Sequence, residues 1–198
     1  MAISIKIGDF AENSFCGSKC LGSPDLAPDA EYPMIEVRDA GEVYDYPLTL
    51  IAQINCEDIA ALDTENLLPH EGLLYFYAAV EEARGYESPV HLLPGELDKA
   101  QYRVKYSKSF NMETFETNSF SDEDGEPFAA PARNLDFSID GEGDFKMLER
   151  REDGRIVLLS VGAEADFNFT DASKLEFVAK ESDLRFGNWK KIKAFLVD

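Results

Sequence analysis

Three short segments constrain this chain most. Residues 48–55, 73–80 and 156–161 are apolar on both faces of a strand. In the first, one face carries Leu48, Leu50, Ala52 and Ile54, and the other Thr49, Ile51 and Gln53. Strand side chains alternate between faces, so a strand apolar on both must be covered on both. At a sheet edge such a strand invites aggregation. All three are therefore expected inside their sheet, with Leu50, Ile54, Leu74, Phe76, Leu158 and Leu159 in the core.

Around these segments the pattern is β-rich with short helical turns. Residues 8–47 are rich in Gly, Pro, Asp and Ser and predict an ordered irregular arm with short strands. Asn55 suits the cap of a short helix over 56–62, with Glu57 and Asp58 in its first turn. Residues 89–93, 101–106, 175–179 and 191–197 predict further strands, and 180–184 one helical turn. Residues 111–155 hold 13 acidic and 5 basic residues and predict a meander, with Asp140-Gly141 and Asp153-Gly154 as hairpin signals. The expected class is α+β: mainly antiparallel sheet with a few short helices, in one domain over residues 1–198. A strand, acidic segment and strand recur at 48–77 and 156–178. A duplicated strand–loop–strand unit is expected, with halves of roughly 1–110 and 111–198.

Charge is the compositional outlier: 39 acids against 19 Lys and Arg, a formal net charge of -20. Nucleic acid and anionic lipid need clustered cations, so both are disfavoured as partners, whereas a basic protein is attracted. The first nine residues show no apolar stretch with a cleavage site, and no apolar run approaches the roughly 20 residues of a membrane span. Cys16, Cys20 and Cys56 are an odd count at no framework spacing and are expected as thiols of a reducing, cytoplasmic compartment.

Several motifs resemble one family. Ser18-Lys19-Cys20-Leu21-Gly22-Ser23-Pro24 is similar to the Ser-Lys-x-Gly-Gly-x-Pro segment of the bacterial YwqG-like family, with Leu21 at the first Gly. Tyr32-Pro33 resembles its Trp-Pro. Residues 47–55 follow its Pro-Leu-x-Phe-Leu-Ala-Gln-Ile-Asn strand, and 68–77 its Leu-Pro-x-x-Gly-Leu-Leu-Tyr-Phe-Phe. Later, Leu158-Leu159 and residues 169–173 resemble Leu-Leu-Gln-Ile-Asp and Trp-Gly-Asp-x-Gly, the latter keeping Asp171. The family's mid-chain His-x-Leu-Gly-Gly has no counterpart, and 111–155 diverges. The resemblance implies a β-rich α+β fold with no established activity.

Catalytic chemistry finds little support in the residues. The two histidines, His70 in a turn and His91 on an expected strand, have no nucleophile elbow or Ser-x-x-Lys pair to serve. Cys16 and Cys20 form C-x3-C, which is neither a redox nor a zinc spacing. Asp136, Ser138, Asp140, Gly141 and Asp144 match calcium-loop positions, but Met147 stands where a bidentate Glu is required, so an acidic hairpin is preferred. No phosphate-binding glycine loop occurs. Gln53, an amide in an apolar strand, either contacts a ligand at a pocket floor or, preferably, anchors the arm at 22–24. Lys19 and Asp171 are site residues or members of ion pairs, and Trp189 is core, rim or binding platform.

The leading expectation is a non-enzymatic, cytoplasmic protein that recognises a basic protein partner with acids set around Phe120, Phe128 or Trp189. The alternative is an enzyme or small-molecule binder with a pocket near Lys19, Gln53 and Asp171. A structural accessory is the third. No cofactor, metal or disulfide is expected.

Overall fold

A computed structural model describes residues 2–11, 14–108, 113–120, 129–139, 141–162 and 167–198. The chain enters through β1 (Ile3–Phe10), β2 (Lys19–Cys20), β3 (Asp25–Leu26), β4 (Met34–Asp39) and β5 (Glu42–Pro47). The apolar segments follow as β6 (Thr49–Asn55), helix α1 (Cys56–Ile59) and β7 (Leu73–Ala78). Next come β8 (Gly95–Glu96), β9 (Tyr102–Ser107), β10 (Glu116–Thr117) and β11 (Arg133–Ile139). The chain ends with β12 (Phe145–Arg150), β13 (Arg155–Gly162), β14 (Lys174–Lys180), α2 (Glu181–Arg185) and β15 (Lys193–Val197).

Eleven strands form one antiparallel sheet in the order β8-β15-β14-β13-β12-β1-β11-β2-β6-β7-β9, curled into a half-barrel. Two small pairs, β3 with β10 and β4 with β5, flank it. Each of the three doubly apolar segments has a strand on either side. Leu50 and Leu158 are 1% and 0% exposed, as two faces of cover require. One sheet face carries the larger core, drawn from β1, β6, β7, β12, β13, β14 and β15. The curl brings Phe76 of β7 edge-on to Phe177 of β14, ring centroids 5.2 Å apart, although these strands are not neighbours. The other face of β6 and β7 packs Leu50, Tyr75 and Tyr77 against Leu26, Ile35, Val37 and Phe115 of the flanking pairs.

The expected α+β class is wrong: strands make up 45% and helix 10% of the described residues, so the fold is all-β. Helices of four and five residues are too short to build a layer. Asn55 does cap α1, its Oδ1 accepting the Glu57 N–H at 3.1 Å, but only one turn follows. Two strand expectations also change. Residues 89–93 run as coil after a turn in which Ser88 Oγ bonds Val90. Ile3, Ile5 and Ile7, unmarked as a strand by the sequence, form the buried face of β1 near the middle of the sheet. In the meander, Asp144 accepts the Ile7 N–H at 2.7 Å, so its carboxylate serves a strand and not a calcium loop. Asp140 lies outside the described residues.

The main sheet, β8 apart, reads the same from either end. Exchanging β1 with β11, β2 with β12, β6 with β13, β7 with β14 and β9 with β15 reverses its order. Register agrees in detail. β6 shifts against β7 between Leu50 and Ala52, and β13 against β14 between Val157 and Leu159. Lys19 faces Gln53 as Lys146 faces Ser160. Leu21 and Leu148, each following the matched pair of residues, have φ of 58° and 57°. At the centre, β1 lies between β11 and β12, and β11 between β1 and β2.

Candidate functional site

The pairing of β2 with β6 sets Lys19 against Gln53, and the bend at Leu21 and Gly22, both of positive φ, brings Asp25 onto both. Asp25 is 0% exposed. Its Oδ2 accepts Lys19 Nζ at 2.7 Å, Gln53 Nε2 at 2.9 Å and the Cys16 N–H at 2.9 Å. Its Oδ1 accepts Thr117 Oγ1 at 2.7 Å. Gln53 Oε1 accepts the Asp25 N–H at 2.9 Å, and Gln53 Nε2 also donates to Gly17 O at 2.9 Å. Tyr75 OH closes the group by donating to Asp25 O at 2.7 Å. Burial raises the pKa of the Asp25 carboxyl, but the bonds from Lys19, Gln53 and Thr117 outweigh it and hold the group below its ordinary value. The network is internally satisfied. Gln53 anchors the arm, as a buried amide must find partners for donors and acceptor alike.

Tyr75 also reaches a cleft on the far side of this network. The cleft, about 670 Å³, is lined by Leu26, Tyr75, the run Val104–Lys105–Tyr106–Ser107 of β9, and Trp189 with its neighbours. Trp189 packs on Tyr106 with centroids 5.3 Å apart. Lys105, Lys190 and Lys191 stand around it, against Asp29 as the one acidic lining residue among the described residues. Burial lowers the pKa of Lys105, and its ammonium donates to Glu31 O. Lys191 lies 3.6 Å from Asp183. A mostly apolar cleft with a few convergent polar groups has the character of a ligand site. A smaller one, about 380 Å³, opens beside Lys19, Asp25 and Thr117.

The structure thus joins Lys19 and Gln53 and places Trp189 in the larger cleft. Asp171 is exposed in the turn before β14, with φ of 56°, and no described bond joins it to the others. Phe120 packs edge-on to Tyr32 at 4.6 Å and is half-buried; Phe128 lies outside the described residues. Asp25, Tyr75 and Lys105 escaped the sequence reading. Asp25 had a signal, because a lysine in an apolar setting needs a counter-ion and Asp25 directly follows the Ser18–Pro24 motif. Burial, aided by Asp25, pushes the Cys16 thiol up to about 11, and burial, aided by Asp58, pushes Cys56 up to about 12. Neither is a thiolate at neutral pH, so neither is a ready nucleophile. Among the described residues no group of His, Cys, Asp and Glu could hold a metal, and no helix is long and apolar enough to cross a membrane.

A search of curated proteins finds no match to the chain. The family described as "Domain of unknown function (DUF1963)" matches residues 18–150, more than half of the chain and the span that holds Lys19, Asp25, Gln53, Tyr75 and β9. The chain belongs to the DUF1963 family of unknown function.

Proposed function

We propose that this protein is a binding protein that holds an organic anion in the cleft between β9 and Trp189. One observation carries the proposal: among the described residues, three lysines and one aspartate line an apolar, aromatic cleft of about 670 Å³ in a chain of net charge -20. Such a local reversal of sign draws an anion in and repels cations nearby. Trp189 and Tyr106, both partly exposed, offer flat apolar surface to its body. The YwqG-like resemblance belongs to the same proposal, since the segments at 18–77 that carry it fall within residues 18–150. So do a cytoplasmic location, supported by three buried cysteines that form no disulfide, and one domain of two halves, supported by the reversible strand order.

Trp189 is the single tryptophan, so its emission reports on the cleft directly. Titration with small aromatic carboxylates is expected to give a saturable change, weakened several-fold by Lys105→Ala or Lys191→Ala. A flat response to millimolar anions of every size would sink the proposal.

A second reading, recognition of a basic protein, is favoured by the β4–β5 hairpin. Exposed Val43 and Tyr44 there lie among Glu36, Asp39, Glu42 and Asp45. Pull-down at low and high salt tests it, because screening above about 0.15 M salt should release such a partner.

A further inference from the structure

The cleft touches four consecutive residues of β9, Val104 to Ser107. Successive side chains of a strand point to opposite faces, so a cleft reaching all four runs along the strand's edge. Among the described residues that edge is open: β9 ends the sheet, with β7 on its other side. The Ala79 N–H donates to Gln101 O at 2.9 Å and sets the phase of the β7–β9 ladder. Ladder bonds then fall on Arg103, Lys105 and Ser107, which pair with Tyr77, Tyr75 and Leu73. The N–H and C=O groups of Val104 and Tyr106 point the other way, into the cleft, and have no backbone partner among the described residues. A ligand matched to this edge carries donors and acceptors alternating along an extended line, which is a property of a peptide backbone. Lys105, Lys190 and Lys191 against Asp29 make the complementary peptide acidic.

We propose that the cleft binds an extended acidic segment of a partner protein by strand addition to β9. The segment pairs with the Val104 and Tyr106 backbone, lays apolar side chains on Trp189 and Tyr106, and presents carboxylates to the three lysines. This rests on the anion-binding proposal and gives its ligand a chemical class.

The test uses the full chain, with Trp189 emission and calorimetry as readouts. The probes are a pool of capped seven-residue peptides alternating acidic and β-branched residues, the same pool N-methylated at every second amide in either phase, and 2-naphthoate. Strand addition predicts that methylation in one phase weakens binding by about tenfold and in the other leaves it unchanged, the loss being that of a pair of backbone hydrogen bonds. It also predicts that Val104→Pro, which removes an outward N–H and no ladder bond, loses peptide binding by about tenfold. Should that variant fail to fold, the two methylation phases decide. Binding of naphthoate without peptide, or equal response to both phases, overturns strand addition and leaves anion binding standing. No response to any probe overturns both.

Discussion

Asp25 shows how one residue organises the N-terminal arm. A carboxylate out of water is costly unless its lone pairs are filled, and four donors, from Lys19, Gln53, Cys16 and Thr117, fill them here. Removing the charge would leave Lys19, 3% exposed, without its counter-ion. Asp25→Asn is expected to destabilise the fold by about 3 kcal/mol, the range for breaking a buried pair, read as a lower urea midpoint at pH 7. Because the folded carboxyl titrates below its unfolded value of about 3.9, its contribution is complete above that pH and is lost as the pH falls through the lowered value. The difference between wild type and variant should therefore narrow only below about pH 4. A constant difference down to pH 2 would show that the charge of Asp25 is not what matters. Lys19 and Gln53 stood out in the sequence because polar residues in an apolar frame must find partners. Tyr75 and Lys105 did not, because aromatic and amphipathic side chains in a strand look the same whether they pack a core or line a cleft.

Among the elements, the turn into β7 is the tightest constraint. Gly72 has φ of +86°, and a Cβ there would sit 2.2 Å from Ser107 O and 2.7 Å from Lys108 O. Its own carbonyl accepts the Cys56 N–H at 2.9 Å, tying α1 to the start of β7. Gly72→Ala thus meets both a left-handed backbone and a clash with the end of β9. It is expected to cost about 2 kcal/mol or more and to lower Tm by about 4 °C or more in a thermal melt. An unchanged Tm would mean that the β7–β9 junction yields freely. The strands that alternate or are apolar on both faces were legible, since period-2 patterning is a local property. β1 was not, because its Ile3, Ile5 and Ile7 alternate over only a few residues beside an arm rich in Gly, Pro, Asp and Ser. The helices were overestimated for a related reason: capping marks where a helix starts, whereas its length depends on what packs against it.

For the whole molecule, the exchange of neighbours at β1 and β11 makes the N-terminal strands depend on the C-terminal ones. β1 pairs with β11 and β12, and β11 with β1 and β2. The Phe76–Phe177 contact and the Tyr102 OH bond to Ile192 O at 2.9 Å cross between the halves as well. Residues 1–112 and 113–198 expressed apart are expected to stay unfolded by circular dichroism, and mixed together to recover a single cooperative transition. Independent folding of either piece would show that the exchange adds nothing to stability. The sequence by itself determined the doubly covered strands, the residues of the core, the cap on α1 and the acidic balance, because each depends on side-chain type at a local spacing. The all-β class, the joining of Lys19 and Gln53 through Asp25, and the open edge of β9 facing Trp189 were decided only by the tertiary structure. Each depends on which distant strands pair and in what phase, and the hydrogen bonds that set this are made by backbone groups nearly identical in every residue.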